Sequence, residues 1–184
     1  MAAGQGSGGD DAIRERARRQ WSRDPAGGHV AAEGTLGTPE AFRRVEEHRA
    51  AEQPWMRDVF GWDRLAGCDV LELGVGLGTD HVWMGRAGAH LSGIDLTPSC
   101  VELTAERVRQ EGLHSDLRVM DAERLAFADA SFDVVYSFGV LHHAPHPERA
   151  FVEAHRVLRP GGRFLGGLYN RHSAWYLALR ARRA

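Results

Sequence analysis

VLELGVGLGTD, residues Val70 to Asp80, reads as a buried strand passing through three closely spaced glycines into the first turn of a helix. Val70, Leu71 and Leu73 make the short apolar run that a strand covered on both faces requires. Glu72 interrupts it. A carboxylate inside such a run costs several kcal/mol unless something bonds it, so Glu72 is expected near the strand's carboxyl end, facing a ligand or backbone donors. Gly74, Gly76 and Gly78 allow positive φ and let the backbone approach a bound molecule with no Cβ in the way. Thr79 and Asp80 open a helix whose free N–H groups favour anionic groups.

The spacing separates two ligand classes. A dinucleotide fingerprint, G-x-G-x-x-G, would want glycine where Thr79 stands. The pattern present, E-x-G-x-G-x-G, resembles motif I of the class I S-adenosylmethionine-dependent methyltransferases. The resemblance implies that the acidic residue and the glycines hold the methionine end of that cofactor. A glycine triplet alone also suits a plain strand-to-helix turn, so the downstream landmarks have to decide.

Composition narrows the field. A chain of 184 residues with 43% hydrophobic content can bury the core of one domain. The net charge of −2, from 23 basic and 25 acidic residues, sets up no global field for nucleic acid or an anionic membrane. Cys68 and Cys100 form neither a metal-type spacing nor a disulfide framework, which points to a reducing, cytoplasmic setting. Met1 to Gly9 is Gly/Ser/Ala-rich without an apolar core, so it reads as a disordered start rather than a leader, and no apolar run approaches membrane-spanning length.

Upstream of the glycine turn, residues 1–37 read as a flexible segment containing one helical stretch, Asp10 to Trp21, with acids first and arginines later. Residues 38–66 read as a helical extension. Thr38-Pro39 starts its first helix as N-cap and first helical position, and Phe42, Val45, Glu46 and Arg49 follow at helical spacing. Trp55, Val59 and Trp62 are expected to pack on the main domain. In the resembling family such a segment often lies over the cofactor and acceptor as a lid; a plain packing extension is the alternative.

Residues 67–184 read as the cofactor-binding domain. His90, Leu91 and Ile94 lie in a second strand ending on Asp95, where a carboxylate can accept both ribose hydroxyls of an adenosine. Asp95 and Leu96 are therefore candidate cofactor contacts. A helix-capping aspartate is the competing role, but Thr97-Pro98 is read as capping the next helix, whose apolar face is Val101, Thr104, Ala105 and Val108. Leu117, Val119 and Met120 form a third strand closing on Asp121-Ala122. The resemblance makes Asp121 the partner of the adenine amine and Ala122 the small neighbour that admits the ring, against a turn-capping role for Asp121. LAFADASFD, from Leu125, resembles the family's L-P-F-x-D-x-S-F-D run, with Ala126 where proline is usual.

FDVVYSFGVL, from Phe132, is the fourth strand and its exit. In a doubly wound sheet the ligand crevice opens beside the first and fourth strands, so Ser137, Phe138 and Gly139 are expected along the methionine and sulfonium end. His142 and His143 follow at the mouth of the acceptor pocket. A metal is disfavoured because the two are adjacent and no carboxylate stands at a ligand-like offset; a general base, an acceptor-orienting group and a structural hydrogen bond all stay open. Pro147 to Leu158 is an amphipathic helix with Ala150, Phe151, Ala154, Val157 and Leu158 on one face. Arg159 to Gly162 makes a turn into a fifth strand, Arg163 to Leu168, and VLRPGGRF resembles the methyltransferase family labelled type 11.

The expected fold is thus α/β, a Rossmann-like doubly wound and mainly parallel sheet with five readable strands. The family's final two strands are missing from the stretch that follows, and SAWYLALRARRA, from Ser173, reads as a helix with a solvated arginine face. The fifth strand would expose an edge unless that helix, the N-terminal segment or a second copy, as a homo-oligomer, covers it. The function implied is methyl transfer from S-adenosyl-L-methionine to a small-molecule acceptor through an O, N or C nucleophile. A truncated cofactor-binding protein without catalysis and, disfavoured by Thr79, an NAD-dependent oxidoreductase are the alternatives.

Overall fold

The computed structural model describes residues 7–32, 34–168 and 170, so the helical stretch read from Ser173 lies outside the described residues. Five parallel strands form one sheet: β1 (Asp69–Leu73), β2 (His90–Asp95), β3 (Ser115–Val119), β4 (Phe132–Phe138) and β5 (Leu158–Gly167), in the order β3-β2-β1-β4-β5. Strand order reverses between β1 and β4, which opens a crevice at their carboxyl ends. The expected doubly wound sheet is the one observed.

Alternation along β1 sorts the two layers. Leu71 and Leu73 join Val135, Ile94, Leu141 and the Ala150, Ala154 and Val157 face of α6 (Pro147–Val157). Val70, with Val134 and Tyr136, packs on the other side against Met84 of α4 (Thr79–Arg86) and against Met56, Phe60, Trp62 and Leu65. Glu72 shares the parity of Val70, so it points into the α4 layer.

Several expectations change in detail. The first helix, α1, runs from Ser7 to Arg23. The structure thus puts Ser7 to Gly9 in a helix, where the sequence suggested disorder, and α1 makes ion pairs to the sheet domain that a flexible segment would lack. Helix α2 is Pro39–Glu52, and Thr38 accepts the Ala41 N–H at 3.2 Å as its cap. In α3 (Met56–Phe60) the inward residues are Met56 and Phe60, one helical turn apart. Val59 and Trp55 stay exposed, although the Trp55 ring lies tilted against Phe60 and Phe138. Helix α5 (Pro98–Gln110) buries Cys100, Thr104, Arg107 and Val108, a face rotated from the predicted one; Arg107 is held by Glu46 and Thr79, which lets a charge occupy the core side. Thr97 makes no side-chain cap to this helix. Phe151 is half-exposed and covers Phe164 of β5. Strand β5 begins at Leu158, and Arg159 to Gly162 loop out between the pairs Phe132↔Leu158 and Val134↔Arg163; a Cβ on Gly162 would lie 2.9 Å from the Arg159 carbonyl oxygen.

Helices α2 and α4 are clasped by charge where apolar area is thin. Glu46 accepts from the Trp83 indole N–H at 2.7 Å and pairs with Arg86 and Arg107. Arg49 reaches Asp80 with both Nε and Nη2, at 3.0 and 2.6 Å. Such bidentate, partly buried pairs hold orientation as well as position.

Candidate functional site

A cavity of about 370 Å³ opens over the carboxyl ends of β1, β2 and β4 and is roofed by α1, α2 and the segment between them. Glu72, Gly74, Gly76, Asp95, Leu96, Asp121, Ala122, Phe138, Gly139 and His143 all line it. The three carboxylates expected at successive strand ends therefore share one cavity.

The glycines divide by task. A Cβ on Gly74 would strike Val140 Cγ2 at 2.3 Å, and one on Gly78 would meet Thr104 Cγ2 at 2.9 Å, so both are glycine for the fold's own packing. Gly76, at φ 55°, faces open space, and a Cβ there would stand in the cavity. Gly78 is absent from the cavity wall. Ser137 also departs from its expected place: buried at 2% exposure, its hydroxyl donates to the Leu73 carbonyl at 3.1 Å, tying β4 to β1. His142 does not line the cavity either, whereas His143 does, its ring edge-on to Trp21 of α1.

Asp95 is fixed by local backbone. Its Oδ2 accepts from the Gly76 N–H at 3.0 Å and its Oδ1 from the Thr97 N–H at 2.9 Å. Burial nonetheless raises its pKa above the usual aspartate value, against the pull of those two donors. Asp121 is held differently. Its Oδ1 accepts the Glu123 N–H at 2.9 Å, while its Oδ2 takes the Arg14 Nε–H at 2.6 Å. Arg14 also reaches Glu123 at 2.7 Å, Arg18 donates to the Leu96 carbonyl, and Asp10 meets His146 Nε2 at 2.9 Å. Helix α1 thus spans the loops after β2, β3 and β4.

Glu72 has a partner that sequence reasoning missed. His81, fully buried in α4, places Nδ1 2.8 Å from Glu72 Oε2 and Nε2 2.9 Å from Ser115 Oγ. Burial, then the nearby Asp80 carboxylate, drive the Glu72 pKa well above the ordinary value; burial lowers that of His81 to about 4. Both groups favour their neutral forms. Nine positions separate the pair, across a loop and half a helix, so only strand parity and helix phase could have suggested it. Arg14, Trp21, His29, His48 and Arg49, all cavity-lining, come from the N-terminal helices, and no motif in the sequence marks them.

A sheet reversing beside a glycine-lined crevice, with carboxylates at consecutive strand ends, defines the class of doubly wound α/β proteins that hold a nucleoside-bearing ligand. Residues 71–166 match the family model described as a methyltransferase domain, and the chain belongs to that family. It is 38% identical over 104 residues to methyltransferase GfsG of Streptomyces halstedii, covering 55% of this chain and 37% of that protein. It is 34% identical over 147 residues to the ubiquinone biosynthesis O-methyltransferase of Maricaulis maris, covering 75% of this chain and 58% of that one. The chain spans about half the length of the curated relatives it matches. Among solved structures, an S-adenosylmethionine dependent methyltransferase from Mesorhizobium loti superposes with a TM-score of 0.56 at 29% identity, over 64% of this chain and 53% of that one. The geranyl diphosphate C-methyltransferase of Streptomyces coelicolor, solved with Mg2+, geranyl diphosphate and S-adenosyl-L-homocysteine, shares the fold at TM-score 0.70 and 19% identity, over 92% of this chain and 72% of that one.

Proposed function

We propose that the crevice holds S-adenosyl-L-methionine and that the protein transfers its methyl group to a neutral small-molecule acceptor. The observation that carries this is the convergence of Glu72, Asp95 and Asp121 on one cavity beside Gly76, where the space a Cβ would fill is open. When bound, the cofactor supplies an electrophilic methyl on a sulfonium. The chain's own residues bind, orient and exclude water. In this reading Asp95 accepts from the ribose hydroxyls, with Leu96 beside it, Asp121 and Ala122 meet the adenine, and Glu72, Gly74 and Gly139 border the methionine end with Phe138. Arg49, poised beside Asp80, is placed to meet the carboxylate of that end.

The acceptor's character follows from the rest of the wall. Of the two cavity arginines, Arg14 is committed to Asp121 and Glu123, and Arg49 in this reading serves Asp80 and the methionine carboxylate, so neither is left to hold a phosphorylated acceptor. Trp21, Val45, Phe138 and Val140 supply apolar surface, with His29, His48 and His143 as proton-handling groups. This favours an apolar acceptor bearing a hydroxyl, and His143 as its base; His142, packed against His143 with ring centroids 4.1 Å apart, would orient it. Among the described residues no helix is long and apolar enough to cross a membrane. The N-terminal residues 7–66 serve as the lid over the domain that starts at about residue 67.

Calorimetry with S-adenosylmethionine and NAD side by side tests the reading. Saturable binding of the first alone is expected; binding of NAD alone would replace it with an oxidoreductase. A second reading is cofactor binding without turnover, and an assay of methyl transfer to phenolic acceptors by this chain separates the two.

A further inference from the structure

The hydrogen bonds around His81 have a direction. Ser115 Oγ lies 3.2 Å from the Leu91 carbonyl, which can only accept, so the serine hydroxyl proton points there. Ser115 Oγ must then accept from His81 Nε2–H at 2.9 Å. In a neutral imidazole this leaves Nδ1 as the acceptor, and the proton between Nδ1 and Glu72 Oε2 belongs to Glu72. The chain runs Glu72 O–H to His81 to Ser115 to Leu91. Glu72 lines the cavity, whereas Ser115 is partly exposed and lies level with Val70 in the sheet register, toward the opposite end of the strands.

The groups that face Glu72 explain why the proton stays and what would remove it. Asp80 of α4 and Asp95 of β2 oppose ionisation, and Arg49 of α2 favours it while bound to Asp80. Tyr136 of β4 donates its hydroxyl to Asp80 and adds no charge. Three carboxylates share one nearby arginine, so a cation entering the cavity would be met by a third anion only if Glu72 ionised.

We propose that Glu72, His81 and Ser115 form a proton wire through which the crevice, holding Glu72 as the neutral acid when empty, loses one proton to solvent on binding an adenosyl ligand that brings an ammonium group beside Glu72. The step balances. Glu72 Oε2 passes its proton to His81 Nδ1, Nε2 passes its own to Ser115 Oγ, and the former hydroxyl proton leaves to water. Ser115 then donates to Nε2, and His81 donates from Nδ1 to the Glu72 carboxylate. His81 is a positioning residue here, and the proposal rests on the cofactor reading above.

Titration calorimetry of the full chain in buffers of different ionisation enthalpy tests it, with S-adenosylmethionine, S-adenosylhomocysteine and uncharged adenosine as probes. Release near one proton is expected for the first two, near zero for adenosine, and near zero for all three with Glu72→Gln, whose amide N–H still donates to His81. Affinity for the charged probes should rise by up to about tenfold per pH unit while Glu72 remains protonated. Imidazole 15N shifts of the unaltered protein should move from the Nε2–H to the Nδ1–H tautomer on loading. Binding heats that do not vary with buffer, an unchanged tautomer, or equal release from Glu72→Gln would each overturn the wire while leaving the cofactor reading intact. Absence of binding by either charged probe to folded protein would overturn both.

Discussion

Asp95 and Asp121 stand at the ends of neighbouring strands and face one cavity, yet they are held in opposite ways. Asp95 is gripped by the N–H groups of Gly76 and Thr97, the second only two residues away and the first from the glycine turn itself. Asp121 is gripped by Arg14 of α1, 107 residues upstream. One end of the crevice is thus built into the sheet domain. The other is completed only when a distant helix docks. Backbone donors cannot be repositioned without unfolding the turn, whereas ion pairs to a helix on the rim yield to salt and to single substitutions.

The largest effect expected from this contrast is at the locally built end. Asp95→Ala should weaken S-adenosylmethionine binding well over tenfold through lost charge-assisted bonds, measured by calorimetry; an unchanged affinity would reject its ribose role. At the rim, Arg14→Ala leaves Glu123 buried without this partner, its side chain 3% exposed, and should cost about 1–2 kcal/mol in urea unfolding. The same variant should open α1 to limited proteolysis, and if the lid assists binding, affinity falls only a few-fold. Smaller still, raising salt from 0.05 to 0.5 M should loosen α1, seen as faster hydrogen exchange in residues 7–23, with little change around Gly76.

Glu72 belongs to neither end, and its signature is pH. Its raised pKa means the folded protein keeps a proton that the unfolded chain loses above about 4.5, which makes stability fall as pH rises. The lowered pKa of His81, about 4 against 6.5, means the unfolded chain binds a proton that the folded protein lacks, which makes stability fall as pH drops. Where both differences act, the two oppose each other. The Glu72 contribution runs from about 4.5 up to its own raised pKa in the folded protein, with a slope of up to about 1.4 kcal/mol per pH unit. Glu72→Gln should remove that loss of stability with rising pH when denaturation midpoints are compared across pH.

What could be read from the chain alone follows local rules. The apolar run at Val70 with its glycines, the Thr38-Pro39 helix start, the strand ending on Asp95 and the turn at Arg159 to Gly162 each depend on residues near in sequence, where periodicity and φ preference act directly. The errors have a common origin. Ser137 and Gly78 lie in the right motif, but neighbours from other elements, Leu73 and Thr104, decided that one ties strands together and the other fills a packing contact. Arg107 stood outside the apolar face read for its helix, and Glu46 gives its buried charge a partner.

The sequence by itself therefore determined the order of strands and helices, the glycine turn and the three carboxylates at strand ends, because each is a matter of pattern over a few residues. Tertiary structure alone decided that His81 would carry Glu72's hydrogen bond, that Arg14 would close on Asp121, and that Arg49 would lock to Asp80. Those pairings join groups up to 107 positions apart, and a charge or a buried acid takes its state from whichever partner the fold brings within 3 Å, which no local pattern encodes.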